Sequence, residues 1–202
     1  MIRFLALLTL AGAASAAPFS HQLHLKLLPD CKSCHSLAAT STSPADNLLP
    51  DRKVCLPCHK TVEIPGAPTT RVAHFSHQQH LKMGNLAPVI AAAIDKGNYL
   101  QPPGDIRSHL NGTNPCEACH RGMEESTQVS RANLPQMADC IVCHNKIDNP
   151  FSCEQCHAKG DNLKPANHVE GFMSAHSSGT LKLDKTTCTV CHGRDFRCLG
   201  CH

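Results

Sequence analysis

Cys188-Thr-Val-Cys191-His192-Gly-Arg-Asp-Phe-Arg-Cys198-Leu-Gly-Cys201-His202 contains, twice, the unit that decides the fold of this chain, Cys-x-x-Cys-His. The unit occurs seven times in 202 residues and uses all 14 cysteines. We number the copies motifs 1 to 7, and they occupy residues 31–35, 55–59, 116–120, 140–144, 153–157, 188–192 and 198–202. Every cysteine therefore belongs to one motif.

This spacing is typical of covalent haem c attachment. Two residues between the cysteines let both sulfurs reach the vinyl-bearing carbons on one porphyrin edge, and the adjacent histidine then lies beneath the iron as a ligand. The sequence therefore predicts seven covalently attached haem c groups. The predicted attachment residues are Cys31, Cys34, Cys55, Cys58, Cys116, Cys119, Cys140, Cys143, Cys153, Cys156, Cys188, Cys191, Cys198 and Cys201. The predicted iron ligands within the motifs are His35, His59, His120, His144, His157, His192 and His202.

Zinc and disulfides are the alternative uses of such cysteines. Zinc ribbons pair two Cys-x-x-Cys units per ion, so seven units leave one unpaired, and an all-cysteine site does not require the following histidine. Disulfides suit an even cysteine count in an exported chain. However, histidine is only 15 of 202 residues and still follows the second cysteine in all seven motifs. This regularity favours haem.

Residues 1–16 have the pattern of a secretory signal peptide. Arg3 precedes an apolar run over residues 4–11, and the small residues Ala14-Ser15-Ala16 provide a cleavage site. The run is too short to span a bilayer. We therefore expect a periplasmic or extracellular protein that begins at Ala17 and has no transmembrane segment in its mature form.

The composition provides few large apolar side chains for a conventional hydrophobic core. Aromatic residues make up 3% of the chain, with no tryptophan and one tyrosine. Side chains alone would bury little apolar area. We expect a mostly irregular fold with short α-helices and little or no β structure, in which the porphyrins form the core of a multihaem cytochrome c fold.

A two-histidine leader precedes the motifs and is repeated. Phe19-Ser-His21-Gln-Leu-His24-Leu-Lys26 recurs at residues 75–82 with seven of eight positions identical. The 24-residue spacing from Cys31 to Cys55 also recurs from Cys116 to Cys140. Internal self-similarity of this kind indicates repeated structural units.

Three modules follow from these repeats. They are a two-haem module at 17–70, a three-haem module at 71–165 and a two-haem module at 166–202. The second contains an insertion with a predicted helix near 85–97, since Pro88 suits a first turn and Gly97 suits a C-terminal stop.

The leader followed by Cys-x-x-Cys-His resembles the class III cytochromes, the cytochrome c3 and c7 group. The likeness covers residues 19–59, 75–82 and 116–144, and it is weaker for 168–202, where the two leader histidines are eight residues apart. In that family the two leader histidines bind two different haem irons. The resemblance implies an enlarged, seven-haem electron carrier with bis-histidine, low-potential irons.

Second iron ligands are then expected among the histidines outside the motifs. The eight candidates are His21, His24, His74, His77, His80, His109, His168 and His176. Seven irons need seven ligands, and His74 aligns with Pro18 of the first leader, so His74 is the expected spare. His109 precedes Cys116 as a leader histidine would, and is expected to serve the third haem.

We expect the protein to carry electrons between redox protein donors and acceptors rather than to catalyse a reaction. The alternatives are a multihaem reductase, which needs one iron with an open position, and a subunit of an extracellular haem filament or respiratory complex. The apoprotein has a formal net charge of +3. Each ferric haem adds about one negative charge when both propionates ionise, so the holoprotein is expected to be acidic, to favour basic-patched redox partners and not to bind nucleic acid.

Intact-mass spectrometry of the secreted protein should show seven haem additions on a chain that begins at Ala17, because all seven motifs are complete. A smaller haem number, or a folded zinc-bound form without haem, would contradict the interpretation of the motifs.

Overall fold

The computed structural model describes residues 19–64, 70–144, 153–184, 186 and 188–193. These residues form short helices joined by irregular chain, without a strand, and one isolated antiparallel bridge joins Val72 and His157. The expected class, short α-helices with little or no β structure, is confirmed for this part of the chain. The predicted signal peptide and motif 7 lie outside it.

The helices are short and follow the repeats of the sequence. The α-helices are α1 (His21–Leu25), α2 (Arg52–Cys55), α3 (His77–Lys82), α4 (Ala87–Asp95), α5 (Met137–Ile141), α6 (Phe172–Ser177) and α7 (Thr189–His192). Turns of 3-10 helix occur at Cys31–Ser33, Ser36–Ala39, Ile106–Asn111, Pro115–Ala118, Arg131–Asn133 and Cys153–Gln155. Within the described ranges, none of these helices is long and apolar enough to cross a membrane.

The repeated leader forms the repeated helices α1 and α3. Both begin after a serine whose side chain accepts a hydrogen bond from a backbone N–H in the first turn, Ser20 from Leu23 and Ser76 from Gln79. Such caps satisfy N–H groups that have no partner within the helix. Helices of five and six residues are too short to be stable alone. Their packing against the rest of the chain must therefore hold them.

The insertion in the second module builds a small apolar core. The predicted helix near 85–97 is present as α4, Ala87–Asp95, with Pro88 in its first turn and Gly97 at φ +67° just beyond its end. Its buried face packs with residues of motif 3 and of α5. The buried members of this core are Ala87, Ile90, Ala91, Tyr99, Leu110, Ala118 and Ala138. The insertion thus joins two neighbouring motifs.

A buried ion pair lies beside this core. Arg121, which follows the motif 3 histidine, contacts Asp139, which precedes the first cysteine of motif 4, with Nη2 to Oδ2 at 2.7 Å. Each side chain is only 3% exposed. The hydroxyl of Tyr99 donates to Asp139 Oδ1 at 2.8 Å. Burial, followed by the Asp139 carboxylate, raises the pKa of Tyr99, so the hydroxyl remains a donor.

Asp139→Asn should destabilise the holoprotein far more than Tyr99→Phe. The first change leaves the Arg121 guanidinium buried without a counter-charge, which costs about 3–5 kcal/mol. The second removes one hydrogen bond to a carboxylate, worth about 1–2 kcal/mol.

Arg107→Ala is the matched control, because its ion pair with Asp95 is 41% and 54% exposed. That variant should lose less than about 1 kcal/mol. Guanidinium unfolding midpoints of the four holoproteins give the ranking. A loss for Arg107→Ala equal to that for Asp139→Asn would contradict the buried network.

Candidate functional site

Each described motif forms the same turn. In motifs 1 to 6 the backbone N–H of the second cysteine donates to the carbonyl of the first at 3.2 Å, and the N–H of the histidine donates to that same carbonyl at 2.8 to 3.0 Å. One turn therefore carries both thiols and the imidazole. This is the arrangement that two thioether bonds and an iron ligand on one porphyrin require.

The second histidine of each of the two repeated leaders is held in a fixed orientation. His24 Nδ1 lies 2.8 Å from the carbonyl of Ser20, and His80 Nδ1 lies 2.8 Å from the carbonyl of Ser76. A carbonyl can only accept, so Nδ1 carries the proton and Nε2 keeps a free lone pair. The leader phenylalanines stack on these rings, with centroids 4.3 Å apart for Phe19 and His24 and 4.5 Å for the equivalent pair.

Four leader histidines face motif histidines at nearly one separation. Ring centroids are 6.4 Å apart for His21 and His35, and 6.0 Å for His24 and His59. They are 6.3 Å apart for His80 and His144, and 6.3 Å for His168 and His192. Each pair joins one leader histidine to one motif histidine, and the two histidines of the first leader face different motifs.

This separation matches two imidazoles that share one metal ion. Imidazole nitrogens bind metals at about 2 Å and lie about 1.1 Å from the ring centre, so two rings on opposite sides of an ion have centroids about 6.2 Å apart. The phenylalanines of the two repeated leaders pack closer, at 4.3 to 4.9 Å from their histidines, and Phe172 lies 4.7 Å from His168 and 5.9 Å from His176. The histidine pairs therefore leave space for an ion, and their geometry fits haem iron between them.

Backbone carbonyls also fix three motif histidines. Nδ1 of His35 lies 2.7 Å from the carbonyl of Leu48, and Nδ1 of His120 lies 3.3 Å from that of Asn133. In motif 5, Nδ1 of His157 lies 2.9 Å from the carbonyl of Arg71. A bond of this kind fixes the tautomer of a metal-binding histidine and makes its other nitrogen more basic.

The first histidines of the two repeated leaders, His21 and His77, are half-buried. Burial lowers the pKa of His21 and of His77, which favours the neutral imidazole that metals bind. Burial also lowers the pKa of His120, and the neighbouring imidazoles of His77 and His35 lower it further. His77 and the motif 3 histidine are thus close enough for their charges to interact.

Three candidate histidines form no such pair with a motif histidine among the described residues. His109 lies 3.8 Å from Asp105 and beside Gly122, just after motif 3. His74 is exposed, and its backbone N–H donates to the carbonyl of Cys156 in motif 5. His176 has an Nδ1 atom that is buried without a hydrogen-bond partner in the protein. None of these three rings faces a motif histidine within the described ranges, and His202 lies outside them.

Sequence reasoning missed the carbonyl acceptors. Leu48 and Asn133 have no side-chain chemistry that singles them out, but each follows its motif histidine by 13 residues. This equal spacing of 13 residues was the sequence signal from which the two acceptors could have been found. The internal repeat thus extends beyond the cysteines to the segments whose carbonyls accept from the motif histidines.

The histidines meet two by two rather than in a larger cluster. Across the described residues, no three His, Cys, Asp or Glu side chains converge in a way that would hold a metal ion by themselves. No protein-family model, curated protein or solved structure matches this chain. The functional argument therefore depends on the geometry of the histidine pairs.

Proposed function

We propose that this protein is a heptahaem c-type cytochrome that carries electrons between redox proteins in the periplasm or outside the cell. The observation that carries the proposal is the set of four leader–motif imidazole pairs, whose centroids are 6.0 to 6.4 Å apart. Each pair joins one leader histidine to one motif histidine, at the separation that two imidazole ligands of one iron would have.

Bis-imidazole haem iron supplies one-electron transfer between its ferric and ferrous forms. The cysteines of each motif would bind the porphyrin covalently, and the motif histidine would bind the iron from one side. A leader histidine would bind it from the other side. Two protein ligands leave no open position for a substrate, which favours electron transfer over a reductase.

The carbonyl bonds to Nδ1 have a defined part in this function. In His24, His35 and His80 they hold the imidazole so that Nε2 presents its lone pair to the iron. They also make the ligand more basic, which stabilises the ferric form and lowers the reduction potential. Low-potential carriers are therefore the class that these contacts favour.

Specific ligand pairs follow for five irons. Motif 1 would use His35 and His21, motif 2 His59 and His24, motif 3 His120 and His77, motif 4 His144 and His80, and motif 6 His192 and His168. We propose His77 rather than His109 for the third haem, because His77 and His120 hold the positions in the repeat that His21 and His35 hold in the first unit. His109 and His176 are the candidates for motifs 5 and 7, and His74 is the expected spare.

His24→Ala should convert one ferric haem from low spin to high spin, because the motif 2 iron loses one of its two imidazoles. His74→Ala is the exposed control, and should leave every haem low spin if His74 is the spare. Electron paramagnetic resonance (EPR) of the oxidised holoproteins counts the high-spin irons. An entirely low-spin His24→Ala protein would contradict the pairing, and a high-spin iron in the native protein would favour the reductase.

A second pair of variants tests which iron His24 serves. Cys55→Ala with Cys58→Ala removes the motif 2 haem and should leave six haems. In that background His24→Ala should no longer create a high-spin iron, whereas His21→Ala should still create one. If His24→Ala remains effective there, His24 serves another motif.

A further inference from the structure

The two leader-containing units dock on each other through reciprocal hydrogen bonds. The backbone N–H of Gln22 in the first leader donates to the carbonyl of Ser126 at 2.9 Å, and that of Gln78 in the second leader donates to the carbonyl of Ser41 at 2.9 Å. Gln22 and Gln78 are equivalent positions of the repeat. Ser41 follows His35 by six residues, and Ser126 follows His120 by the same number.

This exchange is the pattern of a two-fold interface. When two copies of one surface pack symmetrically, residue i of the first contacts residue j of the second, and j of the first contacts i of the second. Here both copies belong to one chain. The receiving serines are buried, with 5% of Ser41 and 7% of Ser126 exposed, so these contacts lie inside the molecule.

Equivalent residues come together where such an axis passes, and the side chain of Asn114 links the first cysteines of motifs 1 and 3. Its Oδ1 accepts from the backbone N–H of Cys116 at 3.0 Å. Asn114 Nδ2 also donates to Cys31 Sγ at 3.2 Å. The axis of the repeat thus passes between the attachment cysteines of motifs 1 and 3.

The histidines of these two motifs lie on either side of the same axis. The backbone N–H of His35 donates to the carbonyl of Cys31 at 2.9 Å, and that of His120 donates to the carbonyl of Cys116 at 2.8 Å, so each histidine shares one turn with its cysteine. His21, whose ring centroid is 6.4 Å from that of His35, lies on the leader helix that donates to Ser126 just after motif 3. The ligand pairs of motifs 1 and 3 are therefore neighbours across the interface, although motif 2 lies between them in the sequence.

We propose that the haem sites of motifs 1 and 3 form the junction through which the two units exchange electrons, so that the spatial order is motif 2, motif 1, motif 3, motif 4. The inference rests on the proposed haem binding. In the exchange, a ferrous iron at one site becomes ferric as its ferric neighbour becomes ferrous, and no other reactant is consumed. Sequence order would instead connect the units through motifs 2 and 3.

Pairs of high-spin irons can report which sites are neighbours. His21→Ala and His77→Ala each expose one iron, in motif 1 and motif 3. In the fully oxidised double variant, the high-spin EPR signal should broaden and lose intensity relative to the sum of the two single variants, because dipolar coupling rises steeply as two spins approach.

Two further double variants are matched controls. His24→Ala with His77→Ala exposes motifs 2 and 3, the pair adjacent in sequence, and His24→Ala with His80→Ala exposes motifs 2 and 4. Both spectra should equal the sums of their single variants. Coupling in the motif 2 and 3 pair, with none in the motif 1 and 3 pair, would overturn the proposed junction.

The outcomes separate this inference from the proposed function. If seven haems attach and the single variants each give one high-spin iron, haem binding stands whatever the double variants show. If the single variants give no high-spin iron, the ligand pairs themselves are wrong and the junction fails with them.

Discussion

Four leader histidines are held 6.0 to 6.4 Å from motif histidines, and this separation is the constraint on which the proposed iron binding depends. The leader helices provide the rigidity. Histidines three residues apart lie on neighbouring positions of one helical face. The serine cap fixes the start of the helix, and the phenylalanine stacks on the second ring. A five-residue helix with these contacts positions His21 and His24 for two different motifs.

The same requirement explains why so much of the chain has no regular structure. Once a motif turn and a leader helix are fixed, the chain between them has two requirements. It must be long enough to connect them, and it must supply a carbonyl that accepts from Nδ1 of the histidine. The span from His21 to His35 is short, whereas the span from His80 to His144 contains the whole insertion, and both pairs keep the same separation within 0.1 Å. Regular helices or strands between the ligands would add constraints that the iron ligands do not need.

The motifs and the leaders could be predicted from sequence because they depend on local spacing. Cys-x-x-Cys-His is one turn of chain, and Phe-Ser-His-x-x-His is a capped helix, so each carries its own geometry. The helix of the insertion was also predictable, since Pro88 and Gly97 mark its two ends. Which leader histidine faces which motif depends on contacts between distant residues, and the pairing of His21 with His35 and of His24 with His59 could not be predicted from sequence spacing.

The buried network of Arg121, Asp139 and Tyr99 shows the same limit more sharply. Arg121 and Asp139 flank two different motifs, and in sequence each looks like a charged surface residue. Only the insertion, folded against both motifs, encloses them and adds the hydroxyl of Tyr99. The first unit has no such insertion, and the first leader is followed closely by motif 1. The two units thus share their ligand geometry but not their means of stability.

A two-fold contact between tandem copies also has a structural logic. A unit that binds itself symmetrically needs only one kind of surface, and joining two copies in one chain raises their effective concentration without changing that surface. The surface around the bonds from Gln22 to Ser126 and from Gln78 to Ser41 is of this kind. Both bonds have a donor–acceptor distance of 2.9 Å. Because the surface includes the contact of Asn114 with Cys31, the docking of the units also brings the proposed haem sites of motifs 1 and 3 together. A change that separated the units would therefore separate those two sites, whereas the ligand pairs of motifs 2 and 4, each contained within one unit, would keep their geometry.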